Sequence, residues 1–280
     1  MWPLVVVAAL QQVPPPTRLT GVFQRPDLRE SSGVAVSRAH RGVLWTHNDS
    51  GDGPFIYATD SAGKDLGAWR VTGANANDWE DMSIGPCPTT TATCLYLADT
   101  GDNGETRASV TVYAVPEPAP ADSTRVTAPA SALQLTYPGG PSDVEAIYVT
   151  GDGTLFLVTK GRSRGVRLLR VPRSAWTAAG PVAAELVQQL PIMPDPLAGR
   201  RVTGAAVSPD GARVAVRTYA ELYIFSPQAG GTLGPNPAVC WLGPLEPQGE
   251  AVAFLDATTL VLTSEASRGV AGTIYLTRCP

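Results

Sequence analysis

Asp78-Trp79-Glu80-Asp81-Met82-Ser83-Ile84-Gly85, followed after a turn by Cys94-Leu95-Tyr96-Leu97-Ala98-Asp99-Thr100-Gly101-Asp102-Asn103, decides the fold. It holds an acidic start, an alternating strand, a turn, a second alternating strand and a polar glycine loop. The same order returns at Asp143-Val144-Glu145-Ala146-Ile147 with Thr154 to Lys160, and at Gln248-Gly249-Glu250-Ala251-Val252 with Leu260 to Glu265. Weaker copies sit at Glu30-Ser31-Ser32-Gly33-Val34 with Val43 to Thr46, and at Val202-Thr203-Gly204-Ala205-Ala206 with Val214 to Arg217. Paired alternating strands recurring at irregular spacings of roughly fifty residues are the mark of a β-propeller, whose blades are four-stranded sheets. Five copies predict an all-β, five-bladed propeller.

The last blade supplies only three strands before the chain stops, the third at Ile274 to Arg278. Residues 17 to 24 read as a strand with no local partner, so the N-terminal strand is expected to complete that blade and remove the open sheet edge. Residues 17–280 then form a single domain. Ala183 to Leu190 reads as the outer strand of the third blade, and Ser174 to Gly180 as a helical turn before it.

Ahead of the domain, Met1-Trp2-Pro3-Leu4-Val5-Val6-Val7-Ala8-Ala9-Leu10 is a short apolar run, followed by Pro14-Pro15-Pro16. It is too short to span a bilayer and resembles the core of a signal peptide, although no Lys or Arg precedes it. Segment 1–16 is therefore expected to direct export, giving a secreted or periplasmic protein with no membrane attachment after processing. The four cysteines agree. Cys87 and Cys94 flank a hairpin turn, and Cys240 and Cys279 fall in outer strands of the last two blades. No C-x-x-C spacing suggests zinc, so two disulfides are expected.

A net charge of -4 and a pI near 5.2 leave no basic stripe for nucleic acid. Nothing marks an oligomer, so a monomer binding a small anionic ligand or substrate is expected. Of 21 basic side chains only Lys64 and Lys160 are lysine.

In a propeller the start of each inner strand and the loop after each second strand share one mouth of the channel. That mouth receives Glu80, Glu145, Thr203 and Glu250, with Ser32 and Glu30 in the first blade. The loops add Asn48, Asp49, Asp52, Asp99, Asp102, Asn103, Lys160, Arg162, Arg217, Tyr219 and Glu265. The opposite mouth receives plain hairpin turns such as Thr150-Gly151-Asp152-Gly153. Carboxylates converging on one axis raise each other's pKa unless a cation neutralises them. The cation is either calcium, held by oxygens of Glu80, Glu145, Glu250, Thr203 and Ser32, or the internal pair Lys160 and Arg217. The loops Asn48 to Gly53 and Asp99 to Gly104 are rich in calcium-type donors but lack the terminal Glu of an EF-hand; they bind ions or form Asx turns. Lys160, Arg217, Asp99 and His47 are the candidate catalytic groups.

The set Trp45-Thr46-His47-Asn48-Asp49-Ser50-Gly51, Asp78-Trp79-Glu80-Asp81, Gly101-Asp102-Asn103, Val202 to Gly211, Arg217-Thr218-Tyr219 and Pro247-Gln248-Gly249-Glu250-Ala251 resembles a family of uncharacterised exported bacterial β-propellers. More distantly, the acidic inner-strand starts are similar to those of phytase-like propellers and of five-bladed calcium-activated nucleotidases. That similarity implies calcium at the channel centre, at Ser32, Glu80, Glu145, Thr203 and Glu250. Three functions stay open: a metal-dependent hydrolase of phosphate or other esters, a non-catalytic binding propeller with a structural ion, and a lactonase. The last would want Asn where Glu stands here.

Overall fold

A computed structural model describes residues 17–280; the signal-like segment lies outside the described residues. Five antiparallel sheets form a closed ring, and each is a blade. The inner strands are Ser31–Val36, Trp79–Pro86, Val144–Val149, Val202–Val207 and Gln248–Phe254. Each of them touches the inner strand of both neighbouring blades, the fifth returning to the first. Little room exists near the axis, and the inner strands accordingly carry Ala35, Ala146, Ala205, Ala206, Ala251 and Ala253. The second strands, sandwiched between blades, are apolar on both faces; every residue of Leu155–Thr159 is buried.

The core follows the same symmetry. Five apolar clusters lie one at each seam between adjacent blades. In the seam between blades one and two, Trp45 and Trp69 meet edge to face at 5.2 Å. The closing seam joins Phe23, Leu28, Val34 and Tyr57 to Val261 and Ile274. Arg18–Val22 pairs antiparallel with Thr273–Arg278, so the first strand completes the last blade as the strand count predicts.

Both disulfides are present. Cys87–Cys94 clips a hairpin of blade two, and Cys240–Cys279 joins the outer strand of blade four to the end of the chain in blade five. The loop-entropy model gives about 2 kcal/mol for the first and about 4 kcal/mol for the second. No helix among the described residues is long and apolar enough to cross a membrane.

One strand departs from the sequence reading. Ala183 to Leu190 is two strands: Val182–Ala183 runs parallel to Leu135 and Thr136 on blade two, and only Glu185–Gln189 belongs to blade three. The segment thereby covers the outer edge of blade two before crossing to its own blade. The helical turn ahead of it is a 3₁₀ turn over Arg173–Thr177.

Two features of the inner strands set up the channel. First, the ladder to the second strand slips at the same point in every blade, between Ser31 and Gly33, Trp79 and Met82, Val144 and Ala146, Val202 and Gly204, and Gly249 and Ala251. Ser32, Glu80, Glu145, Thr203 and Glu250 are thus residues of five equivalent β-bulges, which take them out of the ladder and re-aim their side chains. Secondly, Asp81, in the bulge of blade two, reaches across the axis. Its Oδ1 accepts from Met82 N at 2.7 Å, and its Oδ2 from Ile147 N of blade three at 2.8 Å and Ala205 N of blade four at 3.1 Å.

Two outcomes test this architecture. A chain lacking residues 1–24 leaves the outer edge of Thr273–Arg278 unpaired and is expected to aggregate or melt well below the full chain; equal melting temperatures would refute the closure. Asp81→Ala leaves three buried N–H groups without acceptors and is expected to cost about 2–4 kcal/mol in denaturant unfolding, whereas a loss under about 0.5 kcal/mol would deny Asp81 its cross-linking role.

Candidate metal centre at the channel mouth

The end of each second strand folds back onto the start of its inner strand: Asp49 N donates to Glu30 O at 2.9 Å, Gly101 N to Asp78 O at 3.2 Å, and Lys160 N to Asp143 O at 3.0 Å. Strand starts and loops therefore meet at one mouth. The five bulge residues sink into it, none more than 6% exposed.

They do not all play one part. Ser32 Oγ donates to Glu80 O, and Thr203 Oγ1 donates to Glu250 O at 2.7 Å, so both hydroxyls stitch a bulge to the backbone of the next blade. Glu80 and Glu145 come together, and Glu80 is the shared member of two carboxylate groups. Oxygens of Glu80, Asp143 and Glu145 lie within 4.8 Å of one another, as do those of Asp49, Asp78 and Glu80. Glu250 stands outside both groups; its Oε1 accepts from Gln248 Nε2 at 2.9 Å.

The two groups differ in what already neutralises them. Lys160 Nζ lies 2.6 Å from Glu145 Oε1, and both side chains are buried. Asp143 accepts from Asp102 N at 2.9 Å and pairs with Arg162, which also reaches Asn103. The Asp78 and Glu80 carboxylates, by contrast, accept no hydrogen bond from any described residue. They are pressed together over Gly101, where an added Cβ would collide with both. Asp78 also receives no help from Asp99 beyond placement: Asp99 accepts from Asp78 N at 3.2 Å and pairs with Arg107 at 3.0 Å.

The energetics follow. Burial, with Asp49 and Asp143 nearby, lifts the Asp78 pKa to about 6. Burial, then Glu145 and Asp49, hold Glu80 well above the usual carboxylate range. Burial also raises Glu145, against the pull of Lys160. Glu265 is pushed up to about 7 by burial, Asp49 and Glu30. Burial works against the Lys160 ammonium, but Glu145, Tyr219 and Glu80 outweigh it and keep the lysine charged. Oxygen-only donors, crowded and short of protons or hydrogen bonds, suit a hard divalent cation such as calcium.

The other candidate catalytic groups lie elsewhere. Arg217 is fully buried; it pairs with Glu246 and donates to Ala251 O at 2.6 Å and Thr263 O at 3.2 Å, and none of its hydrogen bonds goes to Glu80, Glu145 or Glu250. It runs across Gly249, where a side chain would strike the guanidinium. Arg217 therefore latches blade four to blade five. His47 is also fully buried: Nδ1 sits 2.8 Å from Asn48 O, the ring meets Trp79 edge-on at 5.4 Å, and burial lowers its pKa. Asp99 is a positioning residue for the Asp78 segment. Of the two glycine-rich loops, Asp52 accepts from Asn48 Nδ2 and Tyr57 OH at 2.7 Å, and Asp102 from Thr106 N and Arg107 N, which makes both loops chiefly Asx turns. Asp49 alone turns its carboxylate to the cluster.

Asp49, placed at the mouth but not among the expected ligands, and Asp78 and Asp143 are the members that the sequence reading left out of the ligand set; the last two begin matching triplets. Their signal was present as a repeated Asp-x-Glu, Asp78-Trp79-Glu80 and Asp143-Val144-Glu145. Residues two apart in an extended chain project to one side, which suits both acids of such a triplet to a common site.

No protein-family model matches the chain, and no curated protein does. Among solved structures it is similar to the PQQ-bound form of aldose sugar dehydrogenase from Streptomyces coelicolor, at 13% identity and a TM-score of 0.56, covering 96% of this chain and 100% of that one. Further matches are the β-propeller domain of Myceliophthora thermophila Cps50 (Swd1), at 13% identity, a TM-score of 0.47 and coverage of 93% and 99%, and XC5397, a gluconolactonase from Xanthomonas campestris, at 12%, 0.46, and 98% and 99%. The first likeness shows the propeller fold; its PQQ does not come with it. Phytases and nucleotidases are not among these three structures.

The raised pKa values carry a signed consequence for the ion-free protein. Asp78 and Glu265 hold protons more tightly folded than unfolded, where carboxyl groups titrate near pH 4. Their stabilising protons are in place below about pH 4 and are lost as pH rises through 6 and 7. In chelator, the melting temperature is therefore expected to fall between pH 5 and pH 8. A flat or rising profile would show that the mouth is neutralised from within.

Proposed function

We propose that the protein is an exported calcium-binding propeller that takes a small anionic ligand at the carboxylate mouth, with hydrolysis of a phosphate or other ester as its reaction. One observation carries the ion: the half-buried Asp78 and the buried Glu80 stand side by side with no hydrogen-bond donor, over a glycine that keeps them together. Asp49, Asp78 and Glu80 would hold the ion, with Asp143 and Glu145 behind Glu80. Bound calcium supplies Lewis-acid polarisation of a ligand oxygen or activation of water.

The chain's own residues have three tasks. Lys160, fixed by Glu145, presents the one lysine charge of the mouth to an anionic group. Arg162 and Asn103, joined to each other, wall one side. Tyr219, whose hydroxyl pKa is raised by burial and then by Glu250, stays protonated as a hydrogen-bond donor. Export is supported by the two disulfides, which an oxidising compartment maintains.

A second reading is a non-catalytic binding propeller with a structural ion. It is favoured by the commitment of Arg217, His47 and Asp99 to internal contacts, which leaves Lys160 as the only one of the four candidate catalytic groups free of a backbone-holding role. The lactonase alternative finds no support in the inner-strand donors, which are Glu, Ser and Thr.

Thermal unfolding with calcium against chelator tests the ion. At calcium a hundredfold above Kd, mass action contributes about 2.7 kcal/mol, or roughly 5–10 °C for a chain of this size. Glu80→Gln and Asp78→Asn are each expected to weaken binding roughly a hundredfold or more and so to remove nearly all of the shift at that concentration. A shift that survives both substitutions would refute the site. On a screen of phosphate and carboxylic esters, Lys160→Ala is expected to lose turnover while keeping the calcium shift; binding with no turnover on any ester would leave the structural-ion reading.

A further inference from the structure

Cavities also open away from the carboxylate mouth. A cavity of about 520 Å³ opens at the opposite end of the channel, on the face of the hairpin turns, within the size range of small-molecule sites. Its walls come from blades two, three and four, with Ile84, Val149, Val207 and Pro209 supplying apolar surface, and Arg38 of blade one stands at its rim. Beneath it the channel narrows to a throat of about 20 Å³ between Val34, Val36, Ala205 and Phe254. The Asp81 cross-link lies beyond that throat, so the two ends of the channel are separate sites.

The polar groups here are unequally committed. Thr150 Oγ1 donates to Asp152 at 2.6 Å, Ser208 Oγ to Asp210 at 2.5 Å, and Asp210 also accepts from Ala212 N at 3.1 Å. Arg38 makes no hydrogen bond and no ion pair among the described residues. The residue is exposed, its guanidinium is partly desolvated, and Glu117 acts on it only through its charge; Glu117 Oε1 accepts from Ser37 Oγ and Trp45 Nε1, and its Oε2 makes no hydrogen bond. The walls are built rigid. Cys87–Cys94 closes the hairpin that forms one of them, and Arg173 fastens it through the carbonyls of Cys87, Pro88 and Thr90 at 2.6–2.8 Å.

We propose that this back-face cavity is a second binding site, independent of the carboxylate mouth, for a small apolar monocarboxylate: its hydrocarbon part against Ile84, Val149 and Val207, its carboxylate on Arg38. The apolar patch of Ile84, Val149 and Val207 within a mixed lining receives the hydrocarbon part, and a guanidinium with no hydrogen bond of its own selects an anion in a bidentate fork. Asp210 on the far wall disfavours a second negative charge and so a dianion.

Octanoate and octan-1-ol, titrated calorimetrically into the full chain, serve as probes that differ in the carboxylate. Octanoate is expected to bind at one site per chain and to bind more tightly than the alcohol. Arg38→Ala should weaken octanoate roughly tenfold, the worth of one charge-assisted hydrogen bond, and leave octan-1-ol unchanged, with partial recovery in Arg38→Lys. Gly151 lines the cavity, has open space where a side chain would project and does not adopt a left-handed backbone, so Gly151→Trp should fill the chamber without strain and abolish binding of both probes. Chelator and Glu80→Gln should change neither titration. No saturable octanoate binding, or binding indifferent to both Arg38→Ala and Gly151→Trp, would overturn the site; loss in Glu80→Gln alone would move the ligand to the other mouth.

Discussion

Each inner strand of this ring has one edge paired to its blade and one edge facing the axis with nothing to pair with, and the structure depends on how those buried edges are satisfied. A buried N–H without an acceptor costs about as much as a hydrogen bond yields in a dry interior. Asp81 answers part of this by accepting from Ile147 N and Ala205 N across the channel. Ser32 and Thr203 answer another part by donating to the carbonyls of Glu80 and Glu250. The result is a channel closed by hydrogen bonds near its middle. One end is left to carboxylates, the other to hydrocarbon.

The bulges make the acidic end possible. The two acids of each Asp-x-Glu triplet stand two residues apart, a spacing that puts side chains on one face of an extended chain. The slip at Glu80 and Glu145 lifts them out of the ladder register, and their carboxylates lie close to those of Asp78 and Asp143. Bulges are common where a strand must re-aim a side chain at a functional site. Here the same device recurs in all five blades, so the ring of bulge residues is inherited from the repeat. What differs between blades is only the side chain placed there, acid or hydroxyl. That choice decides whether a position gathers charge or ties two blades together.

Charge neutralisation is uneven around the mouth. Glu145 has Lys160, Asp143 has Arg162, and Asp99 has Arg107. The acids left over, Asp78 and Glu80 with Asp49, are adjacent to one another. A protein under selection for stability alone replaces such a group with neutral residues, because desolvated like charges oppose folding. Their retention beside a glycine that makes room for them is the argument for a cation partner. Arg217 shows the converse: a cation that reads from sequence as a partner for this ring is instead a clamp between blades, held by Glu246 and two carbonyls.

The repeat of alternating strands, the missing fourth strand of the last blade and the cysteine spacing were enough to derive five blades, the N-terminal closure and both disulfides, because strand period and strand count are local properties that a closed ring leaves no freedom to rearrange. The mouth was legible as well, since strand direction in a propeller dictates which loops share a face. Three things were decided only in three dimensions. The bulges are a mismatch between two strands and leave no mark in either one alone, so the crowding of Asp49, Asp143 and Glu145 from separate blades around Glu80 was not legible. Arg217, His47 and Asp99 each bind backbone groups, beside Glu246 for Arg217 and Arg107 for Asp99, and backbone groups are carried by every residue and announced by no side-chain pattern. The cavity at Arg38 is bounded by turns from separate blades whose residues look like ordinary hairpin punctuation. It exists only because ring closure sets those turns around one axis.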